Sequence, residues 1–321
     1  MKLRATRRMT ASFNTSFPLL LLLVGTRCST SERTPTSEAD TLVIYNAASL
    51  SGPMRALLDT FARRSGTTVQ EEHGASLELA RRITELQRRP DVIALADHEV
   101  FPELLIPAST SWYATFARNR MVVAYTARSR GAAEMRAANW VTVVQRRDVT
   151  LGRTDPMLAP AGYRALLTYK LAETFYRQPG LAAALTNKTP PALLRGNAAE
   201  LAALLAAGEL DYIIEYESLA RAHNFQFVQL PPAIDLGDAE YATTYASASV
   251  RFWNGKDSVT RRGTPILYGV SVPRNAPHAA AGIRFVQFLL SDEGREMLRR
   301  GYVDVLEHPV VLGDSAPGIA R

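Results

Sequence analysis

Leu42-Val43-Ile44-Tyr45-Asn46-Ala47-Ala48-Ser49 opens as a short apolar run and closes on small residues and a hydroxyl, and Met54, Leu57, Leu58 and Phe61 follow it at helical spacing. That pattern is a strand feeding a helix. It recurs at once. Thr67 to Glu72 reads as a second strand, Ser76 starts a helix carrying Leu77, Leu79, Ala80, Ile83 and Leu86, and Asp91-Val92-Ile93-Ala94-Leu95 gives a third strand. Strands alternating with helices predict an α/β fold with mostly parallel sheets covered by helices on both faces.

Two extended runs come next, Trp112 to Phe116 and Met121-Val122-Val123-Ala124-Tyr125, and a new α/β block begins after Thr126. Trp140 to Gln145 reads as helix and Val149-Thr150-Leu151 as extended. Pro160 to Tyr176 is a long helix with proline in the tolerated first turn. Glu200 to Ala207, closed by Gly208, precedes the strand Asp211 to Glu215. Pro265 to Val272 reads as a returning strand, with helices at Ala279 to Leu290 and Asp292 to Arg299 closing the fold. A chain that leaves one α/β unit, builds another and returns predicts two lobes, 41–125 plus 265–321 and 126–264, with crossings near 124–128 and 262–267. A single large doubly wound domain fits the same pattern. In the two-lobe case a ligand belongs in the cleft between the lobes, beyond the carboxyl ends of parallel strands.

The 321 residues are 47% hydrophobic and 21% charged with one cysteine, which suits one large or two ordinary domains and excludes disordered, collagen-like and disulfide-scaffold classes. The net charge of +6 is misleading. Five of the 37 bases (Lys2, Arg4, Arg7, Arg8 and Arg27) and none of the 31 acids precede Cys28, so the remainder carries 32 bases against 31 acids and no footprint for nucleic acid. Residues 1–27 have the layout of an export signal, basic first and then the apolar run Leu19 to Gly25, too short for a permanent membrane span. Residues 28–40 read as a tether. Cys28 stands where bacterial lipoproteins carry their lipid, although Gly25-Thr26-Arg27 fits a lipobox only partly, so a lipid on Cys28 and an ordinary cleaved signal both remain open.

Catalytic patterns are thin: the chain has no phosphate-binding Walker loop, no Gly-x-Ser-x-Gly elbow and no zinc spacing among its five histidines. What recurs is a junction where a strand ends and small residues with a hydroxyl open the next helix, at Ala47-Ala48-Ser49 and at Gly74-Ala75-Ser76. Unpaired amides and the positive end of the helix dipole meet there, and small side chains let an oxyanion approach the backbone. Taken singly, Ser49 and Ser76 read more simply as helix caps, and it is two such junctions on neighbouring parallel strands that favour a site. A third such start is Ala159-Pro160-Ala161-Gly162-Tyr163. Three helix starts aimed into one cleft would hold a dianion with neutral donors alone.

These strings resemble the periplasmic molybdate/tungstate-binding proteins of ABC importers, in the tungstate-binding branch of the extracellular solute-binding family. Asn46-Ala47-Ala48-Ser49-Leu50 is similar to that family's opening loop, and His73-Gly74-Ala75-Ser76 with Leu79-Ala80-Arg81-Arg82-Ile83 to its second serine loop and helix. Gly152-Arg153-Thr154-Asp155-Pro156, Gly162-Tyr163-Arg164, Tyr216-Glu217-Ser218 and Pro265-Ile266-Leu267-Tyr268-Gly269-Val270 continue the likeness in order. The resemblance implies the type II two-lobe fold closing on an oxyanion that it does not alter, no cofactor, and a monomer that delivers molybdate or tungstate to an ABC permease and its ATPase. It also implies that Ser49, beside Ala48, and Ser76 donate from the first lobe, and the Ala161 amide and Tyr216 hydroxyl from the second.

One departure affects selectivity. In the tungstate-type branch an Asp-Pro-Cys-Gly-Tyr-Arg string supplies an aspartate, and a glutamate some eighteen residues before the tyrosine joins it at the metal. Here Ala159 and Ala198 stand at those positions. Without two added oxygen ligands the ligand is expected as an intact tetrahedron, with sulfate, phosphate or a small carboxylate as the alternative occupant and an enzyme or sensor domain as a remoter one. Asp155 and Glu200 lie nearby, but read more simply as a turn residue and a first-turn helix residue.

Overall fold

The run at Leu42 forms strand β1 (Leu42–Ala47), buried along nearly all its length and flanked on both sides by parallel neighbours. Helix α1 (Ser51–Ser65) follows, burying Met54, Leu57, Leu58 and Phe61 and ending at Gly66, whose φ of 68° lets its amide reach Ala62 O at 3.0 Å. Strand β2 (Val69–Gly74), helix α2 (Ser76–Thr84) and strand β3 (Val92–Leu95) complete the first α/β repeat. The computed structural model describes residues 41–253, 257–314, 316 and 318–319, and all elements below belong to one unit, Glu38–Arg321. The export signal, the tether and Cys28 lie outside the described residues.

Register decides where the loops open. Ala47 pairs with Gly74 and Asn46 with Ala94, so β1, β2 and β3 stop level with one another. Strand β4 (Trp112–Asn119) lies in the same sheet, and strand β5 (Met121–Tyr125) begins a second one. There follow α3 (Trp140–Val144), β6 (Leu151–Thr154), α4 (Pro160–Phe175), α5 (Leu181–Asn187) and β7 (Leu194–Arg195). The chain continues through α6 (Ala198–Ala207), β8 (Tyr212–Tyr216), α7 (Glu217–Ala222), β9 (Gln226–Gln229) and α8 (Ala242–Ala246). A hairpin of β10 (Ser249–Trp253) and β11 (Ser258–Arg262) precedes β12 (Ile266–Ser271), α9 (Ala279–Leu290), α10 (Asp292–Arg300) and β13 (Asp304–Gly313).

The six-stranded sheet has the order β13-β4-β12-β3-β1-β2 and the five-stranded sheet β7-β6-β8-β5-β9. Both are mixed. The parallel pairs expected from the strand–helix alternation gather around β1 and β6, and the strands that cross between the sheets, β4, β5 and β12, add antiparallel pairs. The chain changes sheets earlier than the expected boundary at Tyr125. Met121 to Tyr125 pairs with β8 and Val122 to Tyr125 also with β9, so the passage falls at Arg120, because between two partners the buried residues of β5 complete five pairs on one side and four on the other. The return to the first sheet runs through Gly263 to Pro265 into β12.

Candidate functional site

Three strand ends and the helix starts that follow them converge on one buried cavity of about 20 Å3. That is room on the scale of a water or a small inorganic ion, whereas pockets for organic ligands run to roughly 300–1,000 Å3. The first sheet contributes Ala47, Ala48, Ser49, Gly74, Ala75, Ser76 and Ala96; the second contributes Thr154, Ala159, Pro160, Ala161, Asn197, Ala198, Glu215 and Tyr216. The residues that the resemblance implies as ligand contacts, Ala48, Ser49, Ser76, Ala161 and Tyr216, are in that lining, and so are Ala159 and Ala198. No lysine or arginine is among the described lining residues.

The two serines do not cap helices. Ser76 is the first residue of α2, after Ala75 at the cap, and its buried Oγ accepts the Ala96 amide at 3.1 Å. Having accepted there, the hydroxyl keeps its own proton to donate. Ser49 sits within a short 3-10 turn (Ala48–Leu50) with its Oγ 3.5 Å from the Tyr268 hydroxyl, which accepts Asn119 Nδ2 at 2.5 Å. Among the described residues no side chain caps α2 or α4, so the amides of Ser76 and Leu77 in α2 and of Ala161 in α4 are left without a side-chain cap beside the cavity, while Gly162 N is taken by Ala159 O at 3.0 Å.

Helix α4 is held at the site by Gly162. A Cβ there would lie 2.5 Å from Thr154 O, so only glycine lets the helix start press against the end of β6. Pro160 occupies the first turn, and Ala161 follows it in the cavity wall. Tyr216, the last residue of β8, is buried, and its hydroxyl has no hydrogen-bond partner among the described residues. Burial pushes this phenol well above its ordinary value, against the opposing pull of Arg164, so it stays a neutral donor.

Asp155 and Glu200 do not supply the missing carboxylates. Asp155 Oδ1 accepts the Met157 amide at 2.8 Å in the turn after β6. Glu200 is exposed and folds back on its own helix start, accepting Gly196 N at 3.1 Å and Asn197 Nδ2 at 2.8 Å, while Asn197 caps α6 by accepting Glu200 N. His73 is exposed at the end of β2, outside the lining.

Sequence reasoning missed three polar members. Thr154 and Glu215 are buried and line the cavity, their Oγ1 and Oε2 have no hydrogen-bond partner among the described residues, and Asn197 joins them from the α6 cap. A signal for Glu215 existed in the sequence, since it is a carboxylate inside the run Tyr212-Ile213-Ile214-Glu215-Tyr216. Thr154 had none beyond its place before the Asp155-Pro156 turn.

An ion pair outside the cavity lining links elements of the two sheets. Asp97, just beyond β3, accepts Arg164 Nη2 at 2.7 Å and the Tyr163 hydroxyl; both come from α4, and Arg164 also donates to Thr264 O. Asp97 and Arg164 are almost wholly buried. Burial pushes the Asp97 carboxyl up, but Arg164, His98 and the Tyr163 hydroxyl outweigh it and hold the group below the usual range.

Two α/β sheets whose helix starts meet on a small polar cavity define a protein that encloses a small solute. The chain belongs to the bacterial extracellular solute-binding protein family, whose model matches residues 42–302. It is 33% identical over 326 residues to the molybdate/tungstate-binding protein WtpA of Thermococcus kodakarensis, covering 92% of each chain. Among solved structures it is similar to the sulfate-binding protein SubI of Mycobacterium tuberculosis, with a TM-score of 0.60, 14% identity, and 84% of this chain and 88% of that one covered. It is also similar to the periplasmic molybdate-binding protein of Azotobacter vinelandii, with a TM-score of 0.58, 15% identity, and 83% and 100% covered. At such identities the two structures show a shared fold. No described helix is long and apolar enough to cross a membrane.

Proposed function

We propose that this protein captures molybdate or tungstate as an intact tetrahedral dianion and hands it to an ABC permease driven by its ATPase. The observation that carries the reading is the convergence of Ser49, Ser76, Ala161 and Tyr216, with uncapped helix starts, on one cavity of about 20 Å3 lined by no basic side chain. Directed neutral donors in a dry site can stabilise a dianion, and they grade anions by size and by the protons they carry. Ala159 and Ala198 present methyl groups where the resemblance led us to expect carboxylates, which favours four-coordinate binding over an expanded shell.

In this reading the six-stranded sheet and its helices form one lobe, the five-stranded sheet the other, and the strands through Arg120 and Gly263 to Pro265 are the hinges. A ligand touching both lobes stabilises the closed form by its differential affinity, and the permease can thereby tell loaded protein from empty. Residues 1–27 would direct export and 28–40 would tether the monomer outside the membrane. A lipid mass on Cys28 of the mature protein supports acylation, and an unmodified N-terminus supports simple cleavage.

The second reading is the same scaffold holding sulfate, favoured by the loss of both carboxylates from the wall. Calorimetric titration with molybdate, tungstate, sulfate and phosphate in turn tests the choice. Binding of molybdate or tungstate at least tenfold tighter than sulfate supports the first reading; the reverse order establishes the second. Failure of all four to bind overturns both.

A further inference from the structure

We propose that Glu215 is a specificity-determining residue of this site, a neutral carboxylic acid whose proton is donated in a hydrogen bond to the bound oxyanion. The inference rests on the oxyanion reading above and extends it to a residue placed there by geometry alone.

Glu215 lies on β8 next to Tyr216, so the strand's alternation turns it toward the face of Ile213, which belongs to the apolar cluster containing Ala198, Leu201 and Leu205 of α6. Ala198 and Glu215 both line the cavity. The chain therefore lacks a carboxylate at the helix start and has one on the strand that this helix covers. Glu215 is wholly buried. Its Oε1 accepts the Tyr216 amide at 3.0 Å, and its Oε2 has no partner among the described residues.

A buried carboxylate with one oxygen unanswered is unfavourable unless it is neutralised or paired. The groups around it offer no countercharge. Val122 stands opposite on β5; Ser49, Ser76, Thr154 and Asn197 share the cavity from their own elements; the titratable neighbours are the phenols of Tyr216 and of Tyr268 on β12. Burial pushes the Glu215 carboxyl up to about 8, with the Tyr216 amide working in the opposite direction. At neutral pH the group is therefore mostly protonated, with one donor and no acceptor committed to it, beside a cavity where a dianion offers acceptors. A fully deprotonated oxyanion completes that bond, whereas the ionised carboxylate would repel it.

The test is calorimetric titration of the full chain with sodium molybdate, with sulfate in parallel, from pH 6.5 to 9.5 in buffers of differing ionisation enthalpy. In the wild type, affinity should fall toward tenfold per pH unit above about pH 8, with protons taken up on binding there. Glu215→Ala should weaken binding about 10- to 100-fold at pH 7. Glu215→Gln, whose amide can still donate, should restore most of that loss and flatten the pH profile. Native melting of each variant shows that it is folded. Unchanged affinity in Glu215→Ala, or a pH slope in Glu215→Gln equal to that of the wild type, overturns the role of Glu215 while leaving the oxyanion reading intact. If the wild type binds neither anion, the reading and the inference fall together. A Glu215→Gln variant that loses binding while phosphate becomes the preferred wild-type ligand overturns the inference in another way, since the carboxylate would then accept a proton from the ligand.

Discussion

Replacing Asp97 with asparagine should destabilise the protein by about 3–5 kcal/mol, the range for removing one partner from a buried ion pair. The structure puts this pair at the severe end. Asp97 is fully buried and Arg164 is 1% exposed, so neither water nor salt screens what remains. Asparagine keeps the shape and can still accept one bond, but the guanidinium then has neutral groups in place of its carboxylate: the Thr264 oxygens, the Tyr163 ring and the new amide. With about 2.1 cal/mol/K of unfolding entropy per residue over roughly 270 residues, the loss corresponds to a drop in Tm of about 5–9 °C. Differential scanning calorimetry measures it directly. Asp97 is held below its ordinary value, so its contribution is whole above about pH 4 and is lost as pH falls through the lower folded value. The gap between wild type and variant should therefore narrow on acidification. In Asp97→Asn/Arg164→Met the uncompensated charge is gone, and part of the stability should return. A fall in Tm below 2 °C, or a double variant that loses the sum of the two single losses, would refute the argument that the cost lies in a stranded buried charge.

Ser76→Ala and Tyr216→Phe should each weaken oxyanion binding by about 1–3 kcal/mol in calorimetric titration, since each removes one neutral donor from a buried charged ligand; unchanged affinity in both would misplace the pocket. Gly162→Ala should lower both Tm and affinity, because the added Cβ meets Thr154 O at 2.5 Å and must push the start of α4 away from the cavity; full affinity in this variant would show that the helix start is not part of the site. Stability should decline as pH rises between about 4.5 and 8, where the folded chain keeps a proton on Glu215 that the unfolded chain releases. Urea denaturation at pH 5, 7 and 9 should show that decline to be smaller in Glu215→Gln, and an equal decline in both would contradict it.

The strands and helices that carry a strong period were legible in the sequence. The alternation from Leu42 to Leu95 and the long helix from Pro160 appear close to where the pattern put them, because α1 and α2 bury one face and expose another while β1, β3 and α4 are apolar runs buried almost throughout. The elements that escaped are those whose stability is supplied from elsewhere. β13 (Asp304–Gly313) is mostly exposed and takes its order from pairing with β4, and the β10–β11 hairpin is a two-stranded ribbon with alternating polar residues. The sheet boundary at Arg120 escaped for a related reason. β4 and β5 are both apolar and are separated by one residue, so no composition shift marks the point where partners change; only the pairing of Met121 with Tyr216 does.

The site divides along the same line, between what the backbone offers and what the fold brings to it. Small residues and hydroxyls at strand ends are a local signal, since a helix start that is to meet an anion must be uncapped and uncrowded, and Ala48, Ser49, Ser76 and Ala161 all carry it. Thr154 and Glu215 carry no such signal, because their place at the cavity depends on which strand lies beside which. In sequence, Glu215 reads as a polar interruption in a buried strand, and the two alanines at 159 and 198 read as a loss of acidity from the wall. The fold changes the sense of that loss. An acid held neutral by burial on β8 offers a proton where an ionised one at a helix start would offer repulsion, so a wall of methyl groups, amides, hydroxyls and one carboxylic acid is consistent throughout with a ligand that only accepts hydrogen bonds.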